Sequence, residues 1–196
     1  MHISEGVLSL PVIAGGWALC AAGTAAGLKK TPVSRVPRAA LVSSVLFLCS
    51  LVSVPVGPSS VHLTLLGLAG YLLGWTAVPA LFAALLLQAL LFQFGGIVSL
   101  GANTAIMGCA ALSGYGIRLQ FRRRYRPLAA FAAGCAAVLS GSALIVAALA
   151  ASSKDLLSTA AIIMAANLPL AVVEGALTLG IVLALVRIKP DVLEQA

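Results

Sequence analysis

Charge is what this chain has least of. Only 9% of its 196 residues are Asp, Glu, Lys or Arg, whereas 61% are hydrophobic; soluble domains carry roughly 25% charged residues. No hydrophilic stretch is long enough to form a soluble domain. Histidine occurs only at positions 2 and 62. The cysteines Cys20, Cys49, Cys109 and Cys135 form no CxxC pair and all lie inside apolar runs, which excludes a thiol-rich metal knuckle or a redox pair and leaves buried, inert thiols. No GxxxxGK[ST] segment is present, so the chain does not hydrolyse ATP by itself. Without HExxH or GxSxG it also lacks the constellation of an intramembrane hydrolase, and an enzyme is not expected. The first apolar run has no positive stretch before it and basic residues after it, the reverse of a signal peptide.

What remains is a polytopic membrane protein, with length for about six to eight spans at ~20 residues each. Seven apolar spans can be drawn: Leu8–Leu28, Ala39–Val56, Val61–Trp75, Ala77–Phe94, Ser99–Leu119, Pro127–Ala151 and Ile162–Val186. The expected fold is all-α, one transmembrane bundle over residues 1–196. The net charge of +7 does not point to nucleic acid, because the basic residues sit in short loops between apolar runs. Lys29, Lys30, Arg35 and Arg38 follow span one, Arg118, Arg122, Arg123, Arg124 and Arg126 follow span five, and Arg187 and Lys189 follow span seven. An odd span count puts all of these on one side, with Lys154 the sole exception. The positive-inside rule then predicts an external N-terminus and a cytoplasmic C-terminus in the plasma (inner) membrane.

That topology brings the two histidines to one face. His2 is near the external end, and His62 closes the linker Pro55-Val-Gly-Pro-Ser-Ser-Val-His62, whose prolines end the second span. The linker is expected to dip into the protein, since non-helical backbone at membrane depth is tolerated where protein covers it. The loop Gly95-Gly96-Ile97-Val98-Ser99 lies on the same face. His2 is too large a second residue for easy removal of the initiator methionine, so the α-amine of Met1 is retained. The amine of Met1 and the amide nitrogen and imidazole of His2 can chelate one ion, and the imidazole of His62 completes a four-nitrogen set. Such donors suit nickel(II), copper(II) or cobalt(II) and suit calcium or magnesium poorly. A lone histidine at a helix end is more often a solvated or interfacial residue; the shared face is what favours the metal.

Three other polar positions stand out. Glu5 can orient a ligand, or merely complement the first turn of a helix. Asn103 can hold an imidazole in one tautomer, or make an ordinary interhelical bond. Glu174 lies in mid-span, where an ionisable group is a functional candidate; the structural alternative, a pairing with Asn103 or Asn167, is the favoured one. Small residues recur at Ala14, Ala18, Ala22 and Ala26, and at Ala40 and Ser44, a spacing that permits close helix contact inside the chain or with another subunit.

The opening Met1-His2-Ile3-Ser4-Glu5-Gly6, the linker through His62-Leu63, the run Gln88-Ala-Leu-Leu-Phe-Gln-Phe-Gly-Gly96 and Leu100-Gly-Ala-Asn103 resemble the CbiM/NikM family of substrate-binding membrane subunits of energy-coupling factor transporters. The resemblance spans nearly the whole chain. It implies a seven-helix bundle with a tucked-in N-terminus. It also implies metal ligation by Met1, His2 and His62, with Glu5 and Asn103 as supports. The partners it implies are a transmembrane coupling subunit, cytosolic ATPase subunits and a small accessory membrane protein. Cobalt(II) or nickel(II) is then the transported substrate and no cofactor is expected; overall likeness to the cobalt branch favours cobalt, for cobalamin biosynthesis. One departure is Ile106, where the family often has a further Asn. A stand-alone permease is the rival, and it would need more polar residues along a path than Asn103, Asn167 and Glu174 provide.

Overall fold

A computed structural model describes residues 3–51, 53–56, 59–121, 123–153 and 157–194. Its elements in chain order are α1 (Leu10–Lys29), α2 (Val36–Leu51), β1 (Ser53–Val56), β2 (Ser59–His62), α3 (Leu66–Leu73), α4 (Ala77–Phe92), α5 (Leu100–Gln120), α6 (Arg126–Ser152), α7 (Leu157–Ile188) and the short α8 (Asp191–Glu194). Helix is the expected form for such apolar segments, because hydrocarbon offers backbone groups no outside partner. Pro11 opens α1 at a position where a missing N–H costs nothing.

Among the described residues, five segments are long and apolar enough to cross a membrane: Leu10–Lys29, Val33–Leu51, Leu66–Phe92, Arg126–Ser152 and Met164–Ile188. The chain is a multi-pass membrane protein. One expectation needs correction. The third expected span, Val61–Trp75, is not a spanning helix: its start belongs to β2, and α3 has only eight residues. α3 joins α4 through a 3-10 turn at Gly74–Thr76, where Gly74 has φ 58°. The fold is all-α as expected apart from the linker before His62, which forms a short antiparallel ribbon. Its register pairs Ser53 with His62, Val54 with Val61, Pro55 with Ser60 and Val56 with Ser59. Pro55 cannot continue a helix, and a two-stranded ribbon tolerates it because both strands are edges. The expectation that this linker does not run on as helix holds.

Hydrogen bonds fix the helix directions. Ser43 Oγ donates to the Ala80 carbonyl (2.8 Å) and Gln88 Nε2 to Ser50 Oγ (2.6 Å), so α2 and α4 run parallel. The ribbon and α3 therefore carry the chain back along the bundle between them. Thr31 at the end of α1 meets Thr76 at the start of α4 (2.8 Å), so these two run antiparallel. At that end Lys30 lies over the Trp75 ring (4.2 Å), Arg38 Nη2 donates to the Leu72 carbonyl (2.7 Å) and Arg118 Nη1 to the Tyr71 carbonyl. Three of the basic residues expected to share a side thus meet around α3's final turn. α3 itself is buried along all eight residues, between α5 and α6. α1 and α2 lie at the periphery; Ala14, Ala18, Ala22, Ala40 and Ser44 are exposed, so these small-residue ladders do not serve contacts within the chain.

Candidate metal site

The end of the bundle opposite those arginines gathers the N-terminal segment, the loop before α5 and the end of α6. Ile3 is 5% exposed and packs with Leu8, Ala102, Ile145 and Leu149. Its backbone is held twice by one side chain: the Ile3 amide donates to Asn103 Oδ1 (2.9 Å), and Asn103 Nδ2 donates to the Ile3 carbonyl (3.0 Å). An amide side chain presents one acceptor and one donor at the spacing of a peptide edge, so Asn103 acts like a strand partner for a single residue. Burying a backbone amide here without such partners would be costly. Glu5 Oε1 accepts from the Val98 amide (2.8 Å), and its side chain lies against Gly96, where a Cβ would overlap the carboxylate. Ser9 ties the same segment to Ser152 (amide to Oγ, 3.1 Å). Both Glu5 and Asn103 bind the N-terminal segment into place, Glu5 through the 95–99 loop and Asn103 through the Ile3 backbone.

His62 ends β2, and its neighbour Leu63 packs on the cluster of Val138, Leu170 and Ala171. Val138 and Ile145 are both on α6, seven residues apart, or about 10 Å. The clusters that take in Leu63 and Ile3 thus each include a residue of α6, two turns apart. Burial, and after it the positive charge of the amino terminus, lowers the His62 pKa from 6.5 to about 4. The imidazole is neutral at pH 7, the form that binds a metal. Between about 4 and 6.5 the unfolded chain binds a proton here that the folded chain does not, so stability falls as pH drops through that window. Melting temperatures of wild type and His62→Gln measured across it should show the shallower slope in the variant; equal slopes would remove this residue from the acid response.

Met1 and His2 lie outside the described residues, and among the described residues no three His, Cys, Asp or Glu side chains cluster to hold a metal. What the described part contains is the imidazole of His62 and a clamp that buries the third residue of the chain. A family model for the cobalt uptake substrate-specific transmembrane region, CbiM, matches residues 2–192. The chain belongs to the CbiM family. A putative metal transport protein of Haemophilus influenzae is 34% identical over 204 residues, covering 100% of this chain and 98% of the relative. The cobalt transport protein CbiM of Geobacter sulfurreducens is 34% identical over 216 residues, covering 100% of this chain and 62% of the relative. Relatives named as fused proteins match as well. They are a putative cobalt CbiMQ of Methanocorpusculum labreanum (34% over 98% of this chain and 36% of the relative) and a nickel NikMN of Rhodobacter capsulatus (36% over 53% and 31%). A crystal structure of a truncated transition metal transporter superposes with TM-score 0.76 at 28% identity, covering 95% of this chain and 98% of that one.

For this CbiM-family chain the role is metal transport across a membrane. Its Glu174 departs from the expected pairing with Asn103 or Asn167. Oε1 accepts instead from the Thr64 amide, from Thr64 Oγ1 (3.0 Å) and from the Leu65 amide (2.9 Å). A buried carboxylate takes the largest available group of N–H and O–H donors, and an unwound turn offers more than one asparagine can. Thr64 was missed by the sequence reading. Its signal was a hydroxyl residue two positions before the apolar run that becomes α3. The bond from Gln88 to Ser50, which ties α4 to the end of α2 just before the ribbon, was missed as well.

Proposed function

We propose that this chain is the substrate-capture membrane subunit of an energy-coupling factor transporter, a single metal-binding unit over residues 1–196 that imports cobalt(II) for cobalamin biosynthesis. Nickel(II) is the alternative substrate in the same role; a relative named for nickel favours keeping it in view. The ligands are the amine of Met1, the amide nitrogen and imidazole of His2, and the imidazole of His62. The observation that carries this reading is the Asn103 clamp on Ile3, which buries the backbone one residue from His2. Glu5 supports the same segment from the 95–99 loop. Amide ligation requires loss of a proton, so binding releases protons and strengthens with rising pH.

The parallel run of α2 and α4 supports counting the ribbon and α3 as one crossing, which gives seven crossings. The N-terminus then lies outside, and the arginine end with the C-terminus lies in the cytoplasm. ATP hydrolysis belongs to separate cytosolic subunits. A transmembrane coupling subunit, and a small accessory membrane protein, complete the assembly; the fused CbiMQ and NikMN relatives support the idea of joined components. The exposed small-residue ladders on α1 and α2 are the surfaces offered to the coupling subunit.

The test is calorimetric titration of cobalt(II) and nickel(II) into purified protein with its native N-terminus, beside the same protein with one residue added before Met1. The expected result is one tight equivalent, weakened by more than about 100-fold in the extended form, since even loss of a support around a ligand costs about 10–100-fold. Equal binding in both forms would take the amine out of the ligand set.

A further inference from the structure

Glu174 has no place in the ligand set proposed above, yet it is fully buried and spends one carboxylate oxygen on a single turn. That turn links β2 to α3. Leu65 within it has φ 47°, a left-handed conformation that a leucine adopts only when its surroundings hold it there. The carboxylate meets the amides leading into α3, the positive end of that helix. At the other end Arg38 and Arg118 donate to the Leu72 and Tyr71 carbonyls. α3 is thus gripped by hydrogen bonds at its two ends, and its leading turn begins two residues after His62, about 7 Å of extended chain.

We propose that Glu174 is a positioning residue of the metal site, fixing through Thr64 and Leu65 the turn from which His62 is presented. A metal site tolerates small errors in ligand placement poorly, so the residues that fix a ligand's backbone govern affinity. This inference rests on the reading that His62 is a ligand. A residue that served only to hold α7 against the bundle would change melting without changing the metal complex.

Metal-free melting, cobalt(II) and nickel(II) calorimetry and the visible spectrum of the nickel(II) complex are to be measured for wild type, Glu174→Ala, Glu174→Gln and Thr64→Val. Glu174→Ala should weaken binding by about 10–100-fold and shift the spectrum. Glu174→Gln should restore both, because its amide oxygen accepts from the same donors, even where its melting temperature is lower. Wild-type affinity in Glu174→Ala overturns the proposal, as does a Glu174→Gln that falls as far as Glu174→Ala. Should Glu174→Ala fail to fold, Thr64→Val decides. Weaker metal binding at unchanged melting temperature supports the proposal, and unchanged affinity overturns it. Failure of the underlying reading looks different: the wild type would bind no metal, or bind it equally with an extended N-terminus.

Discussion

His62→Ala should lose more than about 100-fold in affinity for cobalt(II) and nickel(II) while keeping its fold. The magnitude follows from the ligand count. Removing one of the four proposed nitrogen donors would open the site to water and break the set, a larger loss than the 10–100-fold typical of residues that merely support a ligand. The fold should survive because the segment around His62 is held by other groups. The ribbon register is made by backbone bonds, Leu63 packs on Val138, Leu170 and Ala171, and Glu174 grips Thr64 and Leu65. Calorimetry gives the affinity, and metal-free melting checks the fold. Retained tight binding in a folded His62→Ala protein would leave this chain's metal, if it binds one, to be held elsewhere.

Gly70→Ala should be the most damaging small substitution in the bundle, at about 3 kcal/mol or more. α3 crosses α5 so closely that a Cβ at position 70 would run into the backbone carbonyl of Ala111, with the carbonyl carbon at 2.6 Å. Backbone cannot rotate away as a side chain can, so the two helices must separate. α3 is pinned at both ends, by Glu174 and by Arg38 and Arg118, and cannot shift as a unit. Gly116→Ala, on α5 with nothing within 4 Å of its added methyl, is the control. It should be neutral or stabilising by up to about 1 kcal/mol, since alanine favours helix over glycine. Melting of the two purified variants in the same detergent checks the contrast; a Gly70→Ala protein as stable as wild type would show that the α3–α5 contact is looser than described.

Some of this architecture could be read directly. Apolar runs and the placement of Lys and Arg are local, additive signals, and they gave a multi-pass chain whose basic loops share an end. Lys30, Arg38 and Arg118 do meet around α3. Pro55 and Pro58 signalled that the linker before His62 is not helical. They could not say that it pairs with itself, because a ribbon depends on register between two strands rather than on the composition of either. The third span misled for a related reason. Val61–Trp75 is apolar throughout, and hydropathy cannot tell a helix in lipid from a short one buried by protein on every side.

The sequence by itself determined the class of the protein, the scarcity of metal-binding side chains and hence the interest of positions 1, 2 and 62. Two histidines leave few alternatives. Only the tertiary structure decided how the neighbours of those positions are held. Asn103 meets Ile3 across 100 residues, and Glu174 meets Thr64 across 110. A buried polar group must find its partner, but which partner it finds is settled by where packed helices bring the backbone. That depends on contacts such as Gly70 against Ala111, which no local pattern in the chain records.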